Sequence, residues 1–124
     1  MNAAIDARNA YRSAQSSTRS FKETEYELLG KLTQRMISST KQGKSGFAAL
    51  ADALHANRRL WSTFSVDLAN ENNPMPKQLK EQLIYLSEFT RQHTSKVLSG
   101  KANVAPLVEI NTAVMRGLRG GAKK

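Results

Sequence analysis

The sequence predicts an all-α protein, a compact bundle of about five helices in a single domain, and three observations point there. Aromatic residues make up only 6% of the chain, so the apolar material is mostly Leu, Ala, Met and Ile, which favours helices over strands. Apolar residues recur at intervals of three and four, and no segment alternates with period two for long enough to form a strand. The 124 residues are one domain's worth, with no repeat and no long linker to divide them.

Helices are expected at about 2–16, 20–42, 46–69, 74–99 and 104–119, with the domain spanning 1–119 and a disordered basic tail at 120–124. The first carries only Ile5 and Tyr11 as large apolar residues, with Ala4, Ala7 and Ala14 at helical spacing. So narrow a face buries little area, and this helix is expected to be the loosest part of the fold. The second opens with Ser20-Phe21-Lys22-Glu23, a capping box whose Ser and Glu side chains satisfy orphan amides. Glu23, Glu25 and Glu27 suit the positive end of its dipole, and Leu28, Leu29, Leu32, Met36 and Ile37 form the expected buried face. Gly43 is its expected stop.

The third helix has the strongest pattern. Phe47, Leu50, Leu54, Asn57, Trp61, Phe64 and Leu68 alternate by threes and fours, an a/d seam held for three heptads. Asn73-Pro74-Met75-Pro76 then breaks the chain, with Asn73 as the expected cap and the prolines in the first turn, where a missing N–H costs nothing. Leu79, Leu83, Leu86, Phe89 and Val97 give the fourth helix its apolar face, and Gly100 ends it. Leu107, Ile110, Val114 and Leu118 do the same for the fifth, whose end is weakened by Gly117, Gly120 and Gly121. Short connections make consecutive helices antiparallel neighbours.

Composition excludes several classes of function. The chain has no cysteine, hence no disulfide, thiolate zinc site or thiol nucleophile. The N-terminus lacks the basic and apolar regions of a signal peptide, and no stretch approaches the roughly 20 apolar residues that cross a bilayer. A cytoplasmic protein without membrane insertion is expected. The formal net charge of +9 attracts nucleic acid, anionic membranes or acidic proteins. Residues 1–62 carry ten Lys and Arg against five acids and residues 63–124 nine against five, so the charge is spread evenly. One local exception is the end of the chain, where Arg116, Arg119, Lys123 and Lys124 have no acid among them.

The search for catalytic chemistry returns little. His55 and His93 lack the second and third ligands at helical spacing that a metal site needs, since Asp52 alone stands three before His55. Glu23, Glu25 and Glu27 do not converge on one helix face, and Glu81 and Glu88 are a heptad apart. Gly43-Lys44-Ser45-Gly46 contains a Gly-Lys-Ser triplet, but position 38 is Ser where a phosphate-binding loop needs Gly, and Met36-Ile37 belongs to a helix instead of a strand. The expectation is a binding protein that is not an enzyme, with no cofactor and no metal.

The most informative stretch is Asn57-Arg58-Arg59-Leu60-Trp61-Ser62-Thr63-Phe64. It holds the only Trp and sets a polar Asn on the apolar seam, where the amide needs partners or costs stability. Asn57 is expected to bond a neighbouring loop around Asn73-Pro74 and so fix how the third and fourth helices meet. Trp61 is read either as core packing or as partner contact. Asn57, Arg58, Arg59, Trp61 and Phe64 are the candidate protein-binding residues, since Trp and Arg are enriched at binding hot spots. Asp67, Asn73, Pro74 and Pro76 form the candidate structural motif.

Asn57-Arg58-Arg59-Leu60-Trp61, Phe64, Asp67-Leu68 and Asn73-Pro74-Met75-Pro76 together strongly resemble the alphaproteobacterial flagellar biosynthesis regulator FlaF family. The likeness continues through Leu79 to Phe89, Ile110-Asn111 and Met115-Arg116-Gly117-Leu118, and extends to Ala10-Tyr11 and the region from Glu25 to Leu32. The chain departs from the family mainly at its ends and at Gln42-Gly43-Lys44-Ser45-Gly46. The resemblance implies protein binding in flagellum assembly. Newly made flagellin is the expected partner, with the chain as a secretion chaperone holding an amphipathic flagellin helix in a groove near Trp61 and Phe64, edged by Arg58 and Arg59. The alternative is post-transcriptional regulation of flagellin synthesis through FlbT or flagellin mRNA. Direct RNA binding is not expected, because the basic residues form no single stripe and no RNA-recognition motif is present. A monomer is favoured.

Overall fold

The computed structural model describes residues 24–122, and the helix expected at 2–16 and the capping box at Ser20 lie outside them. Four α-helices follow, α1 (Glu25–Lys41), α2 (Phe47–Ala69), α3 (Lys77–Leu98) and α4 (Ala105–Ala122), with a 3₁₀ turn at Gly43–Gly46 between the first two. There is no strand among the described residues.

The helices run up-down-up-down. α2 packs on α1 and α3, α4 packs on α1, and α3 and α4 touch only thinly, so α1 faces α3 and α2 faces α4 across the diagonals. The apolar interior is in two layers. Leu29, Leu32, Leu60, Trp61, Phe64, Leu68, Leu83 and Val114 form one, at the end where α1 begins. Met36, Ala53, Leu54, Val97, Val104 and Leu107 form the other, at the end where α1 stops. Burying each such aliphatic side chain contributes roughly 1.5–3 kcal/mol.

Turn chemistry places the helix ends. Gly43 and Gly100 adopt positive φ (64° and 76°), the left-handed conformation that ends a helix and that glycine takes without steric penalty. After α3 the amide of Gly100 donates to the Val97 carbonyl and that of Lys101 to the Lys96 carbonyl (3.0 and 2.8 Å). Gly46 is needed for a different reason: a Cβ there would stand 2.1 Å from the Ser39 carbonyl oxygen, because the 3₁₀ turn folds tightly under α1.

Several boundaries and faces differ from the sequence expectation. The fourth expected helix starts at Lys77 instead of 74, because Asn73 Oδ1 accepts from the Met75 amide (2.9 Å) and closes a turn, while Pro76 is extended (ψ 142°). Both prolines therefore precede the helix, and the Pro76 carbonyl accepts its first bond, from the Lys80 amide (3.0 Å). α4 runs on through Gly120 and Gly121 to Ala122, past the boundary expected at 119. Leu28 (40% exposed), Leu79 (41%) and Phe47 (50%) are not in the core. Leu28 is next to Leu29 and turns outward, whereas Phe47 lies on the seam but beyond the last layer of side chains.

Candidate functional site

Between the two apolar layers lies a belt of polar side chains, with α1, α2 and α4 linked at one point. Asn111 of α4 is fully buried and is its hub. Its Oδ1 accepts from the Trp61 indole Nε1 at 2.9 Å. Its Nδ2 donates to Asn57 Oδ1 at 2.8 Å and to Thr33 Oγ1 at 3.1 Å. Thr33 Oγ1 in turn donates to the Leu29 carbonyl of its own helix (2.6 Å). α3 joins from the far side, where Ser87 Oγ donates to the Trp61 carbonyl at 3.0 Å.

The sequence makes this belt by setting polar residues into each apolar stripe. Thr33 falls between Leu32 and Met36, Asn57 between Leu54 and Leu60, and Asn111 between Leu107 and Val114. α3 contributes Ser87, Thr90 and Thr94 between Leu83 and Val97. A buried amide with both ends bonded fixes the rotation of each helix, because turning one by a single residue would orphan its partners. None of these groups titrates near neutral pH. The belt organises the core.

Asn57 is therefore a core residue, as its place on the seam implied, but its partner is not the loop at Asn73-Pro74. The carboxamide of Asn111, 54 positions away, reaches it first. The Asn73 side chain serves the α2–α3 connection instead, with Nδ2 donating to the Asp67 carbonyl at 3.2 Å. In the motif of Asp67, Asn73, Pro74 and Pro76, the contribution of Asp67 to this connection is its backbone carbonyl, which also accepts from the Asn70 amide at 3.2 Å.

The five candidate binding residues divide into two groups. Asn57, Trp61 and Phe64 are buried, at 0%, 1% and 5% exposure, and the two aromatic rings meet edge to face at 5.6 Å. They present no open groove. Arg59 is exposed and Arg58 half-buried on the outer side of α2, where Arg58 Nη2 stands 3.1 Å from His55 Nδ1. Their charges line the edge of α2.

The other histidine has a structural role. His93 Nε2 donates to the Asn103 carbonyl at 2.8 Å, and its ring stacks on Phe89 at 5.3 Å. Among the described residues no group of three or more His, Cys, Asp or Glu side chains could hold a metal ion. No helix among them is long and apolar enough to cross a membrane. A shallow depression on α3 is lined by Gln78, Glu81, Gln82, Tyr85 and Leu86.

Sequence reading missed two features. Asn111 appeared only as part of a family likeness, and its hub role needed the pairing of helices 50 or more positions apart. Phe47 lies on the a/d seam that the spacing predicts, but the structure leaves it half exposed.

Compared with known families, residues 7–118 match the family described as flagellar protein FlaF. No curated protein and no solved structure matches the chain.

Proposed function

We propose, from the premise that this chain belongs to the flagellar protein FlaF family, that it binds newly made flagellin in the cytoplasm as a secretion chaperone. In this reading it promotes flagellin production and export and catalyses nothing itself. The observation that carries it is the family match, which spans residues 7–118 and so takes in the first three described helices and most of the fourth.

Two properties of the molecule support a binding role. The formal net charge of +9 raises the encounter rate with an acidic protein and makes that rate sensitive to salt. The polar belt holds the helices in fixed rotation, which gives a rigid surface on which a partner helix can be laid down with little ordering cost. Because Trp61 and Phe64 are buried, the flagellin helix is held on the outer surface and not between those rings.

The test is calorimetric titration of the purified chain with monomeric flagellin, repeated with flagellin lacking its end helix. Low-micromolar or tighter binding that disappears on truncation supports the chaperone reading. No heat and no complex rules it out and directs the same titration to FlbT and to flagellin mRNA.

A further inference from the structure

The even spread of basic residues along the sequence does not survive folding. No acidic residue occurs in 28–51 or in 89–108, and these two stretches supply the same end of the bundle. The layer of Met36, Leu54, Val97, Val104 and Leu107 joins them there. Lys41 and Lys44 stand around the end of α1, and Lys96 and Lys101 around the end of α3. All four are exposed, and none takes part in an ion pair among the described residues.

Balancing a helix dipole accounts for Lys41 and Lys96, which lie in last turns. It does not account for Lys44 and Lys101. Each directly follows a positive-φ glycine, Gly43 or Gly100, at the position where a helix stop commonly carries an apolar residue folded back onto the helix. Both positions carry an exposed lysine instead.

This end also carries apolar surface. The α2 seam runs off the core here, leaving Phe47 half exposed at the start of α2, and Leu50 and Leu98 at the margin of the apolar layer are only partly buried. An exposed aromatic next to an incompletely covered apolar layer, at an end that also bears four lysines without an ion pair among the described residues, has the composition of a protein-binding surface, in which a desolvating anchor goes with a charged rim. The chemistry favours protein over nucleic acid. The rim holds lysines and no arginine, and a single ring is no stacking platform for successive bases.

We infer that this end of the bundle, centred on Phe47 and rimmed by Lys41, Lys44, Lys96 and Lys101, docks an acidic protein segment that carries an apolar side chain. The apolar side chain covers Phe47, and the carboxylates face the lysines. The inference rests on the flagellin-binding reading and assigns its surface to the end of the bundle, away from the Arg58–Arg59 edge.

The experiment compares three variants against the unaltered chain in titration with monomeric flagellin: Phe47→Ser, the double change Lys44→Glu with Lys101→Glu, and the double change Arg58→Glu with Arg59→Glu. Each is checked first for an unchanged helical circular dichroism spectrum and melting temperature. The expected result is binding weakened by roughly tenfold or more in the first two and held within about threefold in the third. Loss in the arginine variant with retention in the other two overturns the inference and leaves flagellin binding standing. Absence of binding by the unaltered chain overturns both. Sedimentation with vesicles containing phosphatidylserine provides the remaining arm. Capture by vesicles that is lost in the Phe47 and lysine variants, with flagellin affinity unchanged in them, makes this end a lipid-binding surface and overturns the inference.

Discussion

Trp61 and Asn111, 50 positions apart, meet near the bundle axis, where the indole Nε1 donates to the carboxamide Oδ1 at 2.9 Å. They belong to α2 and α4, which face each other across a diagonal and share no close backbone approach. Side chains span that gap, here and in the Asn57–Asn111 bond beside it. Asn111→Leu keeps the approximate volume but leaves the indole N–H and the Asn57 carboxamide without partners inside the protein. The expected loss of stability is about 2–5 kcal/mol, from the desolvation of groups that can no longer bond. Urea denaturation followed by the emission of Trp61, the single Trp, measures it directly. A change below about 0.5 kcal/mol would show that the belt does not hold the helices together.

Thr90 offers the opposite case. Its residue is 1% exposed, and its hydroxyl has no partner among the described residues, although its carbonyl accepts from Thr94 Oγ1 at 2.6 Å. Thr90→Val has nearly the same shape and removes a buried polar atom that gains nothing from folding. The expected effect is a stabilisation of up to about 1 kcal/mol, seen as a higher urea midpoint with an unchanged slope. Destabilisation by that amount would mean that the hydroxyl finds a partner in solution.

These two residues also show where sequence reading stops. The seam from Leu54 to Leu68 was legible because burial repeats with the helical period, whatever lies opposite. Periodicity cannot tell where a neighbouring helix ends, so Phe47 is in perfect register on the seam although the core does not reach it. Asn57 was recognisable as a polar residue that must be satisfied, but nothing local specifies a partner 54 positions away. Of the candidate site, Arg58 and Arg59 were legible as surface charge on α2. The lysine-rimmed end was not, because its two halves are far apart in the chain and converge only when α3 returns alongside α2.

The two glycines of the α1–α2 turn separate conformational cost from steric cost. Gly43 has a positive φ and open space around it, so Gly43→Ala carries only the backbone penalty, about 1–2 kcal/mol. Gly46 has ordinary φ but would press a Cβ against the Ser39 carbonyl oxygen, which is backbone and cannot step aside. Gly46→Ala is expected to cost more, about 2–3 kcal/mol or beyond, because the whole turn must shift from the end of α1. Parallel denaturation of the two variants decides the order, and a larger loss at Gly43 would contradict the packing described for this turn.

A last prediction concerns pH. On the exposed side of α3, Glu88 accepts hydrogen bonds from Arg91 and from Gln92, with Arg91 Nε at 3.1 Å from Oε2 and Gln92 Nε2 at 3.1 Å from Oε1. The Arg91 bond first, then that of Gln92, hold its carboxyl below the usual Glu range, and the guanidinium is raised by the same contact. A carboxyl lowered in the folded state contributes stability that is present above its unfolded value and is lost as pH falls through the lower folded one. With both side chains more than half exposed, solvent screens that contribution, so the carboxyl resonance itself is the proper readout. In a carbon-detected NMR titration, Arg91→Gln should move the Glu88 midpoint upward, toward the ordinary value. It should not reach that value, because the Gln92 bond remains. Adding salt to the unaltered chain should move the midpoint the same way by a smaller amount, since ions screen the charge attraction more than the directed hydrogen bonds. A midpoint unmoved by Arg91→Gln would show that the pair does not persist in solution.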